Sequence, residues 1–446
     1  MSRPGTSRPV PRAALVGRRH LPAALALAAA LGGLPSQASA DPTAPPPAGA
    51  RTGTVVAIGG ALSDDNVAIW SRLVQAAGGP GAPWVVIGTA SGDPLRAARR
   101  DAALLQQYGA RAEPLPLERA ADADDPALAA RVRAARGVFL SGGDQSRLTA
   151  VLRRGGHGDS AVLQALHDVL AQGGVVAGTS AGAAVASHRM FTGGDPVQVL
   201  RSGAAPVLAP GLGLLHEDVL VDQHFLARGR LGRLLPALVP PPSASPSPSP
   251  PLAWGLGVEE DSAALVQGHT VEAIGRTGVL AVDVRQARGA TAGEPWRVES
   301  VRLTWMAPGD RLDLQRDRFT PDARREAHPV SWETPPRPAA PRPAATGTAP
   351  GAAPLALLAP GGVLAALQAV ARPAAIDVQG EVVPPGDAAT STDGTAQWRF
   401  VLSRSVDTRG WAADGRFSLH GVTLAVQPLA PPAAASPPAA LSSGRP

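Results

Sequence analysis

A serine flanked by glycines joins a strand-like segment directly to a helix-like one in this 446-residue chain. Residues 174–177 are apolar, residues 178–182 read GTSAG, and residues 183–186 are rich in alanine. A serine on such a tight strand-to-helix turn is held away from the backbone, and the next amide and the helix N-terminus can stabilise an oxyanion. The segment therefore favours Ser180 as a nucleophile. A structural Ser-Gly turn is the alternative, because glycine and alanine are abundant here.

Strand-like runs alternate with helix-like stretches in the first part of the chain. The apolar runs cover 54–58, 84–87, 137–140 and 174–177. Such alternation is typical of an α/β fold in which helices cover both faces of a mostly parallel sheet. Glycine-rich turns follow these runs, at the carboxyl ends of the strands, where ligands bind in this architecture. We therefore expect the active site at that edge.

The later part of the chain favours antiparallel strands and is interrupted by proline-rich stretches. Strand-like runs occur between 263 and 303 and again between 361 and 426, and proline dominates 240–251 and 335–354. These shifts divide the chain into a signal peptide (1–40), a linker (41–51), a catalytic domain (52–316) with an insertion loop (240–251), a Pro/Ala-rich linker (317–360), a small β-rich C-terminal appendage (361–426) and a disordered tail (427–446).

The placement of the basic residues argues against nucleic-acid binding. All 41 are arginine, and five of them lie in the first 40 residues, which contain no aspartate or glutamate. The rest of the chain therefore carries 36 basic and 36 acidic residues. It lacks a basic stripe with interleaved aromatic residues, the usual footprint of a nucleic-acid binder. We expect no nucleic-acid partner.

The first 40 residues have the pattern of an export signal. A basic start ending in Arg18 and Arg19 precedes the apolar stretch 21–34, and Ala-Ser-Ala at 38–40 supplies a cleavage site. The apolar stretch is too short and too rich in alanine for a membrane span. We therefore expect a periplasmic or extracellular protein with no stable membrane insertion after signal removal, exported by the Sec or the twin-arginine route. A disordered tail is the alternative.

A serine nucleophile needs a base, and His224 is the histidine best placed to supply one. It stands close to Asp222 where an apolar strand-like run ends. An Asp222–His224 metal pair is the alternative, although no third ligand is evident. Three acids, Glu259, Glu260 and Asp261, follow another apolar run, and strand alternation allows one of them to turn towards the site. The sequence contains no cysteine, which excludes thiolate chemistry and disulfides.

Three arginines, Arg228, Arg230 and Arg233, follow His224 at the predicted start of a helix. The three-residue spacing puts Arg230 and Arg233 on one face. Guanidinium groups bind carboxylates through paired hydrogen bonds, so the cluster favours a substrate that presents carboxylates. Solvated surface arginines are the alternative.

Four separated segments together resemble the cyanophycinases, serine peptidases of family S51. Their fold is similar to that of the class I glutamine amidotransferases. The matching segments, within residues 52–316, are Gly142–Gln145, Gly178–Ala183, Asp222–Phe225 with the spaced arginines after it, and Gly255–Ser262. The resemblance implies a flavodoxin-like α/β fold. It also implies an exopeptidase that releases β-aspartyl-arginine from cyanophycin, a poly-aspartate with arginine on each side-chain carboxyl, through an acyl-enzyme on Ser180.

The same resemblance implies a role for each candidate residue. The implied catalytic roles are nucleophile for Ser180, base for His224, orienting acid for Glu260, and oxyanion-hole amides from Ala181 and from Gly143 or Asp144. The side chains implied to line the substrate pocket are Gln145, Asp222, Gln223, Arg228, Arg230 and Arg233. Glu260 is preferred to Glu259 because the family pattern ends in G-[IL]-G-[IV]-[DE]-E-[DN]-[ST].

No cofactor and no metal is implied, and a homodimer is left open. Cyanophycin or an aspartyl peptide is the expected substrate. Two other functions suit the same residues: an aspartyl or isoaspartyl dipeptidase of the same family, and an inactive polymer-binding surface protein that keeps the serine turn.

Overall fold

The computed structural model describes residues 53–154, 158–242, 250–291, 294–332, 356–372, 377–382 and 397–429. Its first elements are β1 (Thr54–Ile58), α1 (Val67–Ala76), β2 (Pro83–Ile87), α2 (Pro94–Gln107), β3 (Arg111–Leu115), α3 (Pro126–Ala134), β4 (Gly137–Leu140), α4 (Gln145–Leu152), α5 (Ala161–Ala171), β5 (Val175–Thr179) and α6 (Ala181–Ala184). The next are β6 (Arg189–Phe191), α7 (Pro196–Ser202), β7 (Leu208–Pro210), β8 (Val219–Asp222), α8 (Leu231–Leu238), β9 (Trp254–Val258), β10 (Ser262–Gln267), β11 (Thr270–Gly275) and β12 (Val279–Asp283). The last are β13 (Arg288–Gly289), β14 (Val298–Met306), β15 (Arg311–Asp313), β16 (Arg318–Thr320), α9 (Ala323–Glu326), α10 (Gly362–Ala371), β17 (Asp377–Val382), β18 (Gln397–Ser403), β19 (Arg409–Ala413) and β20 (Arg416–Leu429).

The first nine-stranded sheet has the strand order β16-β15-β11-β10-β1-β5-β4-β2-β3. Strands β1, β5, β4, β2 and β3 run parallel to one another. Strands β10, β11, β15 and β16 continue the sheet beyond β1 in antiparallel fashion. The α/β prediction is therefore confirmed, and the whole sheet is mixed because hairpins extend its parallel part.

Apolar side chains cover both faces of this sheet. Along β1, Val55 and Ala57 belong to one buried cluster, whereas Val56 and Ile58 belong to another on the opposite face. Strands buried on both faces have continuous apolar sequences, as the TVVAI of β1 does. The faces are thus filled by core packing, which leaves the carboxyl ends of the strands for polar chemistry.

Short polar side chains define where several helices begin. Asn66, Asp93, Asp125 and Ser160 each accept a hydrogen bond from an amide two or three residues further on, at the starts of α1, α2, α3 and α5. Asp144 caps α4 in the same way, so this helix begins immediately after a glycine pair at the end of β4.

The second nine-stranded sheet has the order β17-β18-β20-β14-β12-β9-β8 along its main path. Strands β8 and β9 run parallel, and the other neighbours on this path run antiparallel. Strands β9 and β10 are consecutive in the chain but lie in different sheets. The connection Glu259–Asp261 therefore passes from one sheet to the other.

The predicted β-rich extension, 361–426, continues the second sheet. Its strand β20 pairs with β14, with Val301 opposite Leu424, and Phe400 of β18 is fully buried in the same apolar cluster. The extension begins with a helix, α10, that the strand-like alternation did not predict. Its sequence GVLAALQAVA is rich in alanine and leucine, which have high helix propensity.

Several predicted segments lie wholly or mostly outside the described residues, namely the signal peptide (1–40), the linker (41–51), the insertion loop (240–251) and the tail (427–446). The first three residues of that tail, predicted to be disordered, continue strand β20. The predicted linker at 317–360 begins with regular structure, since β16 and α9 fall within it. In the described part of the chain, no helix combines the length and apolar character needed to cross a bilayer.

Candidate active site

Ser180 lies on a sharp turn between β5 and α6. Its backbone has φ +53° and ψ −109°, a sparsely populated conformation for a residue other than glycine. The flanking glycines are needed for steric reasons: a side chain at Gly178 would collide with the Gly182 carbonyl, and one at Gly182 with the Leu140 carbonyl. The spacing of the GTSAG segment thus follows from the tight approach of α6 to its own strand and to β4.

A chain of two hydrogen bonds joins the predicted nucleophile, base and acid. Ser180 Oγ lies 2.9 Å from His224 Nε2, and His224 Nδ1 lies 2.5 Å from Glu260 Oε1. The His224 side chain is 9% exposed and that of Glu260 is 37% exposed. This is the arrangement in which an imidazole removes the proton of a serine while a carboxylate fixes its orientation.

The glycine pair after β1 determines where the imidazole lies. The His224 amide donates to the Gly59 carbonyl at 2.7 Å. A side chain at Gly60 would collide with the imidazole itself. His224 follows β8 with φ +47°, so a strand end of the second sheet delivers the base to a serine carried by the first.

The three consecutive acids have three different partners. The Glu259 carboxylate is buried and accepts the amides of Leu226 and Ala227 through one oxygen. The Glu260 carboxylate is hydrogen-bonded to the His224 imidazole. Their neighbour Asp261 turns the opposite way and binds groups in the 63–66 turn. The structure therefore brings only one of these three carboxylates to the imidazole, the one that the family pattern favoured.

The backbone amides of Ala181, Gly143 and Asp144, the candidate donors to an oxyanion, differ in whether they already have an acceptor. Ala181 is the first residue of α6, so its amide has no acceptor within the helix. Within the described residues the Gly143 amide also lacks an acceptor, whereas the Asp144 amide donates to the Ala90 carbonyl at 2.8 Å. Of the two alternatives from the sequence, Gly143 is thus the available donor and Asp144 is not.

A cavity of about 370 Å³ opens beside Ser180 and His224. Sequence analysis missed two charged residues in its wall, Arg100 and Asp101. Asp101 is buried and accepts hydrogen bonds from Ser141 Oγ at 2.6 Å and from Arg100 at 3.0 Å. Burial raises the pKa of this carboxyl, although these two bonds oppose the shift. No local signal marks Asp101, because it sits in the middle of α2.

Asp222, Arg230 and Arg233 form a buried ionic cluster. Arg233 donates to the two Asp222 oxygens at 2.7 and 2.5 Å, and Arg230 donates to one of them at 3.2 Å. The Arg233 guanidinium also lies 4.5 Å from the centre of the Phe191 ring, while burial lowers the pKa of Arg230 to about 10. Two cations share one carboxylate here, so the cluster keeps a net positive charge.

The remaining predicted pocket residues differ in whether their side chains already have hydrogen-bond partners. Gln145 donates to the Phe191 carbonyl at 2.6 Å. Gln223 is buried, and its Oε1 lacks a hydrogen-bond partner among the residues described. Arg228 is exposed in the turn before α8, which begins at Leu231 and so later than predicted. The structure therefore leaves one side-chain oxygen and one exposed guanidinium for a ligand.

Asp222 and His224, which the sequence analysis considered as a metal pair, have different partners. Asp222 faces its two arginines, while His224 faces Ser180 and Glu260. Across the described residues, no group of three His, Cys, Asp or Glu is arranged to hold a metal ion.

The electrostatics of His224 lead to a prediction about pH. Burial lowers the pKa of the imidazole below its ordinary value of 6.5, the nearby charges of Arg228 and Arg230 lower it further, and Glu260 raises it. A base must be unprotonated, so activity should persist below pH 6.5. Arg228→Gln removes one positive charge and should move the acidic limb of kcat/KM to higher pH. An unchanged limb would show that Arg228 is electrostatically remote from the imidazole.

Comparison with known proteins places the chain in a family. Residues 55–232 match the model of peptidase family S51. A cyanophycinase of Synechococcus elongatus is 35% identical over 273 residues, which cover 59% of this chain and 80% of that protein. One from Trichormus variabilis is 32% identical over 282 residues, covering 61% and 89%. A crystal structure of a peptidase from an acI-B1 actinobacterium aligns with a TM-score of 0.41 at 18% identity, covering 58% of this chain and 96% of that one.

The two cyanophycinases exceed 30% identity over most of their own length, and the family model spans the Ser180 and His224 segments. The resemblance seen in the sequence is thereby confirmed. The chain belongs to peptidase family S51, together with the cyanophycinases.

Proposed function

We propose that this protein is a serine peptidase that hydrolyses cyanophycin to β-aspartyl-arginine dipeptides through an acyl-enzyme on Ser180. The observation that carries the proposal is the continuous hydrogen-bonded chain from Ser180 through His224 to Glu260. Its substrate rests on the relatives, which are named cyanophycinases, and on Arg228, an exposed arginine in the turn that follows His224.

In the first half of the reaction, Ser180 Oγ attacks the scissile carbonyl as His224 Nε2 takes the hydroxyl proton. The carbonyl oxygen becomes an oxyanion, for which the amides of Gly143 and Ala181 are the proposed donors. Collapse of this intermediate breaks the C–N bond, and the imidazolium returns the proton to the departing amine. Glu260 remains ionised and stabilises the imidazolium.

In the second half, a water molecule attacks the ester on Ser180 and gives a proton to His224. The second oxyanion collapses, the C–O bond to Ser180 breaks, and the serine oxygen regains the proton. The products are an amine and a carboxylic acid, and the enzyme returns to its starting state without a cofactor.

Substrate carboxylates need a cation that is not already neutralised. Arg230 and Arg233 are buried against Asp222, whereas Arg228 is exposed and lies close enough to His224 to influence its pKa. We therefore assign the direct contact with a substrate carboxylate to Arg228. The ionic cluster of Asp222, Arg230 and Arg233 adds a positive potential, since the charge of Arg230 also lowers the pKa of His224.

Export is part of the proposal and rests on the sequence of residues 1–40 alone. Their basic start, apolar stretch and A-x-A site are those of a signal peptide. Released polymer would then be the natural substrate outside the cytoplasm.

The decisive experiment is incubation of the purified protein with cyanophycin, followed by mass analysis of the soluble products. We expect β-aspartyl-arginine from the wild type and none from Ser180→Ala. Hydrolysis of short aspartyl peptides with no release from the polymer would instead support a dipeptidase of the same family. If the protein shows neither activity and a fluorophosphonate does not label Ser180, the result would support an inactive polymer-binding protein.

A further inference from the structure

The segment 356–371, which precedes the C-terminal strands, packs against the turn that carries Arg228. We call residues 225–230 the arginine turn. The amide of Gly361 donates to the Leu226 carbonyl at 3.0 Å. The contact is thus made to the backbone of the turn that directly follows the catalytic histidine.

Leu358 lies directly against this turn. Gly229 has φ +58°, and a side chain there would collide with the Leu358 carbonyl. One turn further along, a side chain on Gly232 would meet Leu358 Cδ1 at 2.7 Å. Glycines at both positions allow the segment to lie directly on the chain next to Arg228.

Apolar packing fixes the segment in this position. Leu357 is fully buried, and it belongs to the same cluster as Phe225, Leu226 and Leu231 from the turn and the start of α8. Val363 of α10 is buried in that cluster too. The segment is therefore anchored in the core of the second sheet and is not a loose connection.

A different group also binds the arginine turn. Glu259 accepts the Leu226 and Ala227 amides, while Gly361 donates to the Leu226 carbonyl and Leu358 lies against Gly229. Between these two supports the turn is irregular, and its exposed position is Arg228. Within the turn, the Arg228 amide donates to the His224 carbonyl at 3.1 Å and the Arg230 amide to the Phe225 carbonyl at 2.9 Å, so the outside supports fix where the turn lies.

We propose that the segment 356–371 is a positioning element for Arg228, acting through the contact of Leu358 with Gly229 and Gly232. It sets the distance of the guanidinium from His224 and from a bound carboxylate. The chain outside the catalytic match then serves the active site directly. Its role in substrate binding rests on the proposed function, whereas its role in placing Arg228 near His224 does not.

The test compares two leucines of one segment. Leu358→Ala removes the Cδ1 packing against Gly232 that seats the Leu358 backbone on Gly229, and keeps the Leu358 carbonyl itself. Leu364→Ala, also partly buried on the same apolar cluster, is the matched control. The rate at which a fluorophosphonate labels Ser180 is measured against pH, since it reports the protonation of His224 without any natural substrate. The charged groups acting on that imidazole are Glu260, Arg228 and Arg230.

We expect Leu358→Ala to move the labelling midpoint to higher pH, in the same direction as Arg228→Gln, and Leu364→Ala to leave it unchanged. In the double variant with Arg228→Gln, Leu358→Ala should cause no additional shift, because the two act through one group. Leu358→Met conserves volume and should restore the wild-type midpoint. A wild-type midpoint in Leu358→Ala, an equal shift in Leu364→Ala, or additive shifts in the double variant would each overturn the proposal.

Turnover gives a second readout. For a soluble aspartyl-arginine oligomer, Leu358→Ala should raise KM about tenfold with kcat within about twofold, the signature of weakened ground-state binding. If the wild type labels normally but does not cleave the oligomer, the proposed function fails, and the labelling midpoints still decide the role of the segment.

Discussion

Ser180→Ala is expected to lower kcat for peptide hydrolysis by about a millionfold. In the proposed mechanism the variant removes the atom that forms the acyl bond, and the nearest alternative nucleophile is water without a covalent intermediate. Residual turnover would come from the oxyanion amides and substrate binding alone. The measurement is the initial rate of dipeptide release at saturating substrate, with active-site titration by a fluorophosphonate to count competent sites.

Ser141→Ala provides the matched control for that loss. Ser141 lines the same cavity, but its hydroxyl binds Asp101 at 2.6 Å and not His224. Its removal should cost roughly 1 kcal/mol of folding stability and leave kcat within about tenfold of the wild type. Equal losses in the two variants would mean that the cavity, and not a covalent step at Ser180, governs the rate.

The parts of the site that sequence could predict are local. Ser180 was found because its turn needs small residues at fixed spacing, and the geometry now explains both glycines by collisions with neighbouring carbonyls. His224 was found because a polar group at a strand end belongs to the active edge of such a sheet. Both inferences use only residues within a few positions of one another.

The parts that sequence could not predict depend on distant partners. Strand alternation could not decide which of the three acids faces His224. Their directions are set by groups some 30 to 200 positions away in the chain, including Leu226, Ser63 and His224. The same holds for the fold. The parallel strands follow from local alternation, whereas the pairing of β20 with β14 joins segments more than 100 residues apart and could not be seen in either segment alone.

The arginines are a third case, in which the sequence predicted that two of them share a face but could not show which residues surround them. Arg230 and Arg233 do share a direction, as their separation predicted, but that direction leads to Asp222. A strand-end aspartate and two helix-start arginines were each identified from the sequence. The pairing of Asp222 with the two arginines is a packing result, and it leaves Arg228 as the exposed arginine of the three.

Glu260→Gln is expected to lower kcat by about ten-thousandfold while the protein stays folded. The amide can occupy the same space, but it carries no negative charge to stabilise the imidazolium and can hold the ring in the wrong tautomer. Glu260 is about one-third exposed and meets His224 at 2.5 Å, so the substitution leaves no buried cavity. Steady-state kcat and a thermal unfolding curve measure the two effects separately.

Glu259→Gln is the matched control at the adjacent position, with a different expected result. The hydrogen bonds from the amides of Leu226 and Ala227 end on one carboxylate oxygen, and an amide oxygen can accept both. Burial raises the pKa of Glu259, so a neutral side chain also avoids the cost of a desolvated charge. We expect kcat within about tenfold of the wild type and a stability change of no more than about 1 kcal/mol. The opposite pattern, with Glu259→Gln inactive and Glu260→Gln active, would assign the orienting carboxylate to Glu259 and require the connection between β9 and β10 to rearrange during catalysis.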